Sequence, residues 1–121
     1  MTPAGLQHRL GRSQRLRKRS SFLLVQQHGQ RIAGRTLVLY AMSRRDGMAA
    51  PVGRLGITVT KKVGNAVIRN RIKRWLRESY RRLASRPGVD IVAIAKPTAA
   101  NSTFQATSLE LRSLLDRVPG R

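Results

Sequence analysis

Cysteine is absent from these 121 residues, which removes disulfides and thiolate metal sites and suits a reducing compartment. Acids are scarce too, five Asp and Glu in all. Asp46, Glu78, Asp90, Glu110 and Asp116 are scattered, and with His8 and His28 they form no H-x-x-x-H or D-x-D spacing. A hydrolytic centre or metal site needs such groups to converge, so no catalytic or metal-ligating residue is expected in this chain. No apolar run approaches the roughly 20 residues of a membrane span. No apolar segment follows the basic first residues as a secretory signal would require. A cytoplasmic location is expected. Aromatics number five, so a core must come mainly from aliphatic residues.

Positive charge is what the chain has in excess. Lys and Arg total 25, for a formal charge of +20 and a pI near 12.0. Self-repulsion on that scale opposes compaction unless a polyanion offsets it. The candidates are nucleic acid, an anionic membrane surface or an acidic protein. Most of the cations are Arg, whose planar fork suits phosphate and stacks on bases.

The length suits one domain with one core. Residues 1–19 read as a basic, partly flexible arm carrying Arg9, Arg12, Arg15, Arg17, Lys18 and Arg19. A single domain is expected over 20–118, with a tail at 119–121. Ser20 and Ser21 can cap a short helix from Phe22 to His28, closed by Gly29. Thr36–Met42 reads as a strand buried on both faces, with a shorter strand at Arg31–Ala33 before it. After a turn-rich stretch from Arg44 to Gly53, Arg54–Thr60 alternates apolar with small or polar residues. These two longer strands suggest an antiparallel pair. A helix is expected from about Ala66 to Ala84, ended by Arg86-Pro87-Gly88. A strand follows at Asp90–Ala95. A last helix starts near Ser102, with Gln105 completing a capping box. Its core stripe would be Phe104, Ser108, Leu111, Leu115 and Val118. The sum is a small α+β layer fold with helices on a sheet.

The segment from Lys61 to Arg77 carries the functional signal. At about 100° per residue, Ile68, Ile72, Trp75, Leu76, Ser79 and Leu83 gather on one arc. Asn70, Lys73, Arg74, Arg77 and Arg81 lie opposite, with Arg69 and Arg71 flanking the apolar stripe. A solvated helix face usually mixes charge signs, but here Glu78 is the only acid. Like charges at Arg69/Lys73, Lys73/Arg77 and Arg77/Arg81 are best relieved by an external polyanion. Gly64-Asn65 sits at the helix entrance, where free backbone N–H groups can receive phosphate, beside Lys61 and Lys62. The P-loop pattern is missing, so nucleotide hydrolysis is not expected. A strand, not a second helix, precedes this one, which argues against a DNA-reading helix-turn-helix and favours RNA.

Lys61-Lys62-Val63-Gly64-Asn65-Ala66-Val67-Ile68-Arg69-Asn70-Arg71-Ile72-Lys73-Arg74 closely resembles the signature of the bacterial ribonuclease P protein component. Arg15-Leu16 with Phe22, Leu37-Val38-Leu39-Tyr40, and Asp90 through Pro97 resemble that family's N-terminal region, central strand and last strand. The resemblance implies an α/β sandwich akin to a domain of ribosomal protein S5. Its mostly antiparallel sheet would have about four strands and a left-handed βαβ crossover, against the general right-handed rule. It implies an accessory subunit of an endoribonuclease that removes the 5′ leader from precursor tRNA, with the active site in a catalytic RNA. Mg2+ would be held mainly by that RNA, and none by protein side chains alone. One RNA and one protein are expected, with no membrane partner.

Carried onto this chain, the resemblance implies that Lys61, Lys62, Asn65, Arg69, Asn70, Arg71, Lys73, Arg74 and Arg77 bind the RNA subunit. Phe22, Tyr40, Arg15 and Arg17 would line a leader-binding cleft. The family often has a second aromatic four residues after the position of Phe22, where this chain has Gln26. Without the resemblance, ordinary core packing would be the better reading of Phe22 and Tyr40, and Trp75 is expected to be a core residue. A ribosomal or RNA-chaperone protein would share much of this pattern. A basic nucleoid or membrane-active protein would need charge alone.

Overall fold

A computed structural model describes residues 15–43, 53–83 and 88–118. The start of the basic arm, the centre of the turn-rich stretch, Arg86-Pro87 and the tail lie outside these. The described elements are helix α1 (Arg19–His28), strands β1 (Gln30–Ala33), β2 (Leu37–Ser43) and β3 (Arg54–Thr58), helix α2 (Ala66–Arg82), strand β4 (Val89–Ala95), a 3-10 turn (Pro97–Asn101) and helix α3 (Phe104–Asp116). Among the described residues no helix is long and apolar enough to cross a membrane.

The four strands form one sheet in the order β1-β2-β4-β3. β2 pairs antiparallel with both β1 and β4, and β3 runs parallel to β4. The expected pairing of the two longer early strands is therefore wrong, because β4 lies between them. The reason is burial. Six of the seven residues of β4 are buried, so it takes the centre, while β3 has fewer buried positions and takes the edge. Parallel neighbours need a crossover, and α2 supplies it between β3 and β4. Gly88 starts the return into β4 with φ 75°, a left-handed conformation that glycine adopts without steric cost.

Alternation along the strands sends side chains to two cores. On one face Leu37, Leu39, Leu55, Ile91 and Ala93 meet Ile72, Leu76 and Tyr80 of α2 and Leu111, Leu114 and Leu115 of α3. On the other, Val92 meets Leu16 and Val25, with Phe22, Tyr40, Met42 and Ile94 partly buried around them. Full burial of one Leu or Ile contributes about 1.5–3 kcal/mol, so the face under α2 and α3 holds most of the stability. Leu16 is 5% exposed, and its N–H donates to the Leu55 carbonyl at 2.9 Å. Arg15 and Leu16, read as arm, are thus built onto the sheet edge.

Three helix boundaries differ from the expected ones. Helix α1 begins at Arg19 after Lys18, which makes no side-chain cap, so Ser20 and Ser21 lie inside its first turn. Helix α2 ends at Arg82, two residues short of expectation. The α3 cap is Thr103, whose hydroxyl accepts from Ala106 N–H at 3.1 Å. Ser102 instead closes the 3-10 turn through its N–H to Ala99, and its Oγ accepts from Thr107 Oγ1 at 3.2 Å. The α3 stripe holds at Leu111, Leu115 and Val118, while Thr107 and Leu114 are buried in addition. Phe104 and Ser108 stay partly exposed.

Candidate nucleic-acid interface

The cleft begins with a glycine. Tyr40, Val92 and Gly56 stand in register across β2, β4 and β3, on the face that α1 only partly covers. Phe22 of α1 lies directly over Gly56: a Cβ added there would sit 2.6 Å from Cζ of the ring. Only a missing side chain lets an aromatic approach a strand that closely. Phe22 and Tyr40 are both half-buried at the rim of the small core, so each packs there and keeps part of its surface exposed. Gln26, one helical turn from Phe22, is also half-buried.

The same edge carries cations. Arg15 bridges to Leu55 and so runs alongside β3. With Leu16, Arg17, Phe22, Ile57 and Arg77 it encloses a pocket of about 260 Å³. Burial, and then the Arg15 charge, push the Arg77 guanidinium below its ordinary pKa. Burial and a like charge both disfavour its charged form. Arg77 therefore belongs beside the cleft residues, although the sequence grouped it with the outer face of α2. A larger hollow of about 770 Å³ lies elsewhere, between the β1–β2 turn and α3. Its Glu110 carboxylate accepts from Thr36 N–H at 2.9 Å, Thr36 Oγ1 at 2.6 Å and Leu37 N–H at 2.9 Å, so its chemistry is committed to holding that turn.

Helix α2 starts from a fixed entrance. Val63 is buried and its N–H donates to Thr60 O at 3.0 Å, leaving Lys61 and Lys62 exposed on the turn. Asn65 caps the helix, its Oδ1 accepting from Ile68 N–H at 3.0 Å. Arg69 folds back, Nε donating to the Gly64 carbonyl at 3.2 Å. The helix then presents three faces to its surroundings. Ile72, Leu76, Ser79 and Tyr80 are buried; Tyr80 was missed as a core residue because it sits beside the basic run. Asn70 and Arg74 point outward and are exposed. Arg71 lies over the Trp75 ring, 5.3 Å from its centroid, and Trp75 itself packs against the core as expected.

The acids sharpen this asymmetry. Asp90, 2% exposed, takes both Nε of Arg54 at 2.9 Å and Nη2 at 2.6 Å. With Glu110 holding its turn, two of the few acids are spent inside the fold. Among the described residues no cluster of His, Cys, Asp or Glu could hold a metal ion. Leu16, Val92 and Gly56, which shape the cleft, were not picked out from sequence. The glycine inside the alternating strand was the signal that could have found them.

A half-covered sheet carrying an aromatic cleft, beside a helix with a nearly acid-free basic face, defines a small α+β RNA-binding protein. The family model for ribonuclease P matches residues 10–119. The ribonuclease P protein component of Gluconacetobacter diazotrophicus is 45% identical, over 86% of this chain and 90% of that one. The solved RNase P protein of Staphylococcus aureus matches with a TM-score of 0.76 at 34% identity, covering 85% of this chain and 93% of that one. The Thermotoga maritima RNase P protein matches with a TM-score of 0.74 at 34% identity, covering 88% and 98%. The chain belongs to the ribonuclease P protein family. It is an RNA-binding accessory subunit of that ribonucleoprotein endoribonuclease, which works in tRNA processing with an RNA subunit.

Proposed function

We propose that the two surfaces divide the work. The outer face of α2, with Lys61, Lys62, Asn65, Arg69, Asn70, Arg71, Lys73 and Arg74, docks the catalytic RNA. The cleft of Phe22 and Tyr40, edged by Arg15, Arg17 and Arg77, receives the single-stranded 5′ leader of precursor tRNA. The observation that carries this reading is Phe22 over Gly56, an aromatic held half-exposed beside three arginines. Stacking there contributes about 1–3 kcal/mol per base in single-strand binders. The arginines track the backbone.

The chemistry belongs to the RNA. Mg2+ held mainly by that RNA would supply the hydrolytic chemistry, and the protein's own residues hold the substrate in place. A cationic body between two polyanions screens their repulsion, so it tightens precursor binding and lowers the Mg2+ concentration needed. One protein per RNA, working in the cytoplasm, completes the reading.

The test is precursor cleavage by the RNA subunit at low Mg2+, with and without the protein. Cleavage that rises with protein, and affinity that favours precursor over mature tRNA, supports the division of work. Equal affinity for the two substrates overturns the cleft assignment. Co-purification with rRNA in place of a single RNA of a few hundred nucleotides would favour a ribosomal role.

A further inference from the structure

The edge of α2 that turns towards α3 holds a second arginine laid on an aromatic ring. Arg82, in the last turn of α2, lies over Phe104, the first residue of α3, with its guanidinium carbon 5.5 Å from the ring centroid. Arg71 over Trp75 is the first such pair. Arg71, Trp75 and Arg82 are spaced i, i+4 and i+11, so they share one side of the helix. The two guanidiniums are separated along the axis by about 16 Å, three turns of one rigid element.

Trp75 packs against the core, but the Arg82–Phe104 pair does not. Arg82 is exposed and Phe104 half-exposed, and Phe104 falls outside the cluster of buried residues. Glu78 shares this side, four residues before Arg82, yet among the described residues it forms no ion pair with Arg82 or Arg71. Arg82 also sits where the helix dipole favours a cation, so the fold tolerates it without a counter-ion. A guanidinium on a ring has already lost much of its rotamer freedom and keeps its in-plane N–H donors directed outward. That arrangement fits a phosphodiester oxygen.

We propose that Arg82 on Phe104 is a second phosphate contact, extending the RNA-docking face from the signature segment across the α2–α3 junction. Its partner is the backbone of the same structured RNA that docks on α2, gripped at two points three turns apart. This rests on the reading of α2 as the docking helix, and the experiment separates the two. Affinity of the full-length protein for the catalytic RNA is measured against salt for Arg82→Gln, Phe104→Leu, the double variant, and Arg74→Gln as the reference for the outer face. Circular dichroism and thermal melting confirm that each variant is folded.

Loss of one phosphate contact flattens the log–log salt slope by about 0.7–0.9. Arg82→Gln is expected to show that change. Phe104→Leu is expected to weaken binding several-fold with Arg82 present and not at all once Arg82 is Gln, because the ring acts only through the guanidinium. An unchanged slope for Arg82→Gln beside a flattened one for Arg74→Gln overturns the second contact alone. Unchanged slopes for both overturn the docking reading of α2 as well.

Discussion

Phe22 rests on Gly56, an aromatic of one helix filling the space a side chain would take on the neighbouring edge strand. The cleft thus depends on an absence in β3 as much as on the ring in α1. A methyl group at position 56 cannot be accommodated while Phe22 keeps its place. Gly56→Ala is expected to push the ring off the strand and reduce discrimination for precursor over mature tRNA about five-fold or more, from loss of about one stack. Binding to the RNA subunit should hardly change. Filter binding with the two tRNA forms checks both statements.

Arg77 and Arg15 both line the small pocket, and burial together with the Arg15 charge lowers the Arg77 pKa. The folded state therefore binds this proton less well than the unfolded chain does. The resulting penalty is fully present at neutral pH and is relieved as pH rises through the folded and then the unfolded pKa. Arg77→Gln should keep or raise the melting temperature of the free protein while lowering affinity for the leader. A drop in melting temperature would show that Arg77 is structural.

Asn65 has two duties that substitutions can separate. Its carbonyl oxygen caps α2, and its position puts it at the proposed RNA surface. Asn65→Ala should cost about 1 kcal/mol of stability, as lost caps do. Asn65→Asp keeps an acceptor and suits the helix dipole, so stability should hold while RNA affinity falls, because a negative charge now faces phosphate. Urea unfolding and RNA titration of the two variants make the comparison.

The Arg54–Asp90 pair is asymmetric, with the carboxylate buried and the guanidinium side chain 31% exposed. Removing the arginine takes the bidentate partner from a buried carboxylate, and breaking such pairs costs about 3–5 kcal/mol. Arg54→Met should therefore destabilise more than Asp90→Asn, after which Arg54 can turn to water. Denaturant midpoints of the two variants decide this. Neither should alter the salt slope of RNA binding.

Much of this protein can be read directly from the chain. The scarcity of acids and the excess of arginine require a polyanion as partner, because charge imbalance is a property of composition. Helical spacing of Ile72, Leu76 and Ser79 places the core side of α2, because 3.6-residue geometry is local. The segment from Lys61 to Arg74 carries the family by its residue order alone. Long-range pairing is a different matter. That β4 enters between β2 and β3 depends on which strand can be buried on both faces once the helices have packed, and no local pattern ranks three apolar strands. Sequence spacing likewise put Arg77 with its helix neighbours and left Leu16 in an arm. Only packing of residues 15–17 along β3 brings Arg15, Phe22, Gly56 and Arg77 to one edge. The partner was thus decided by charge and local order, and the shape of the site by contacts between residues far apart in the chain.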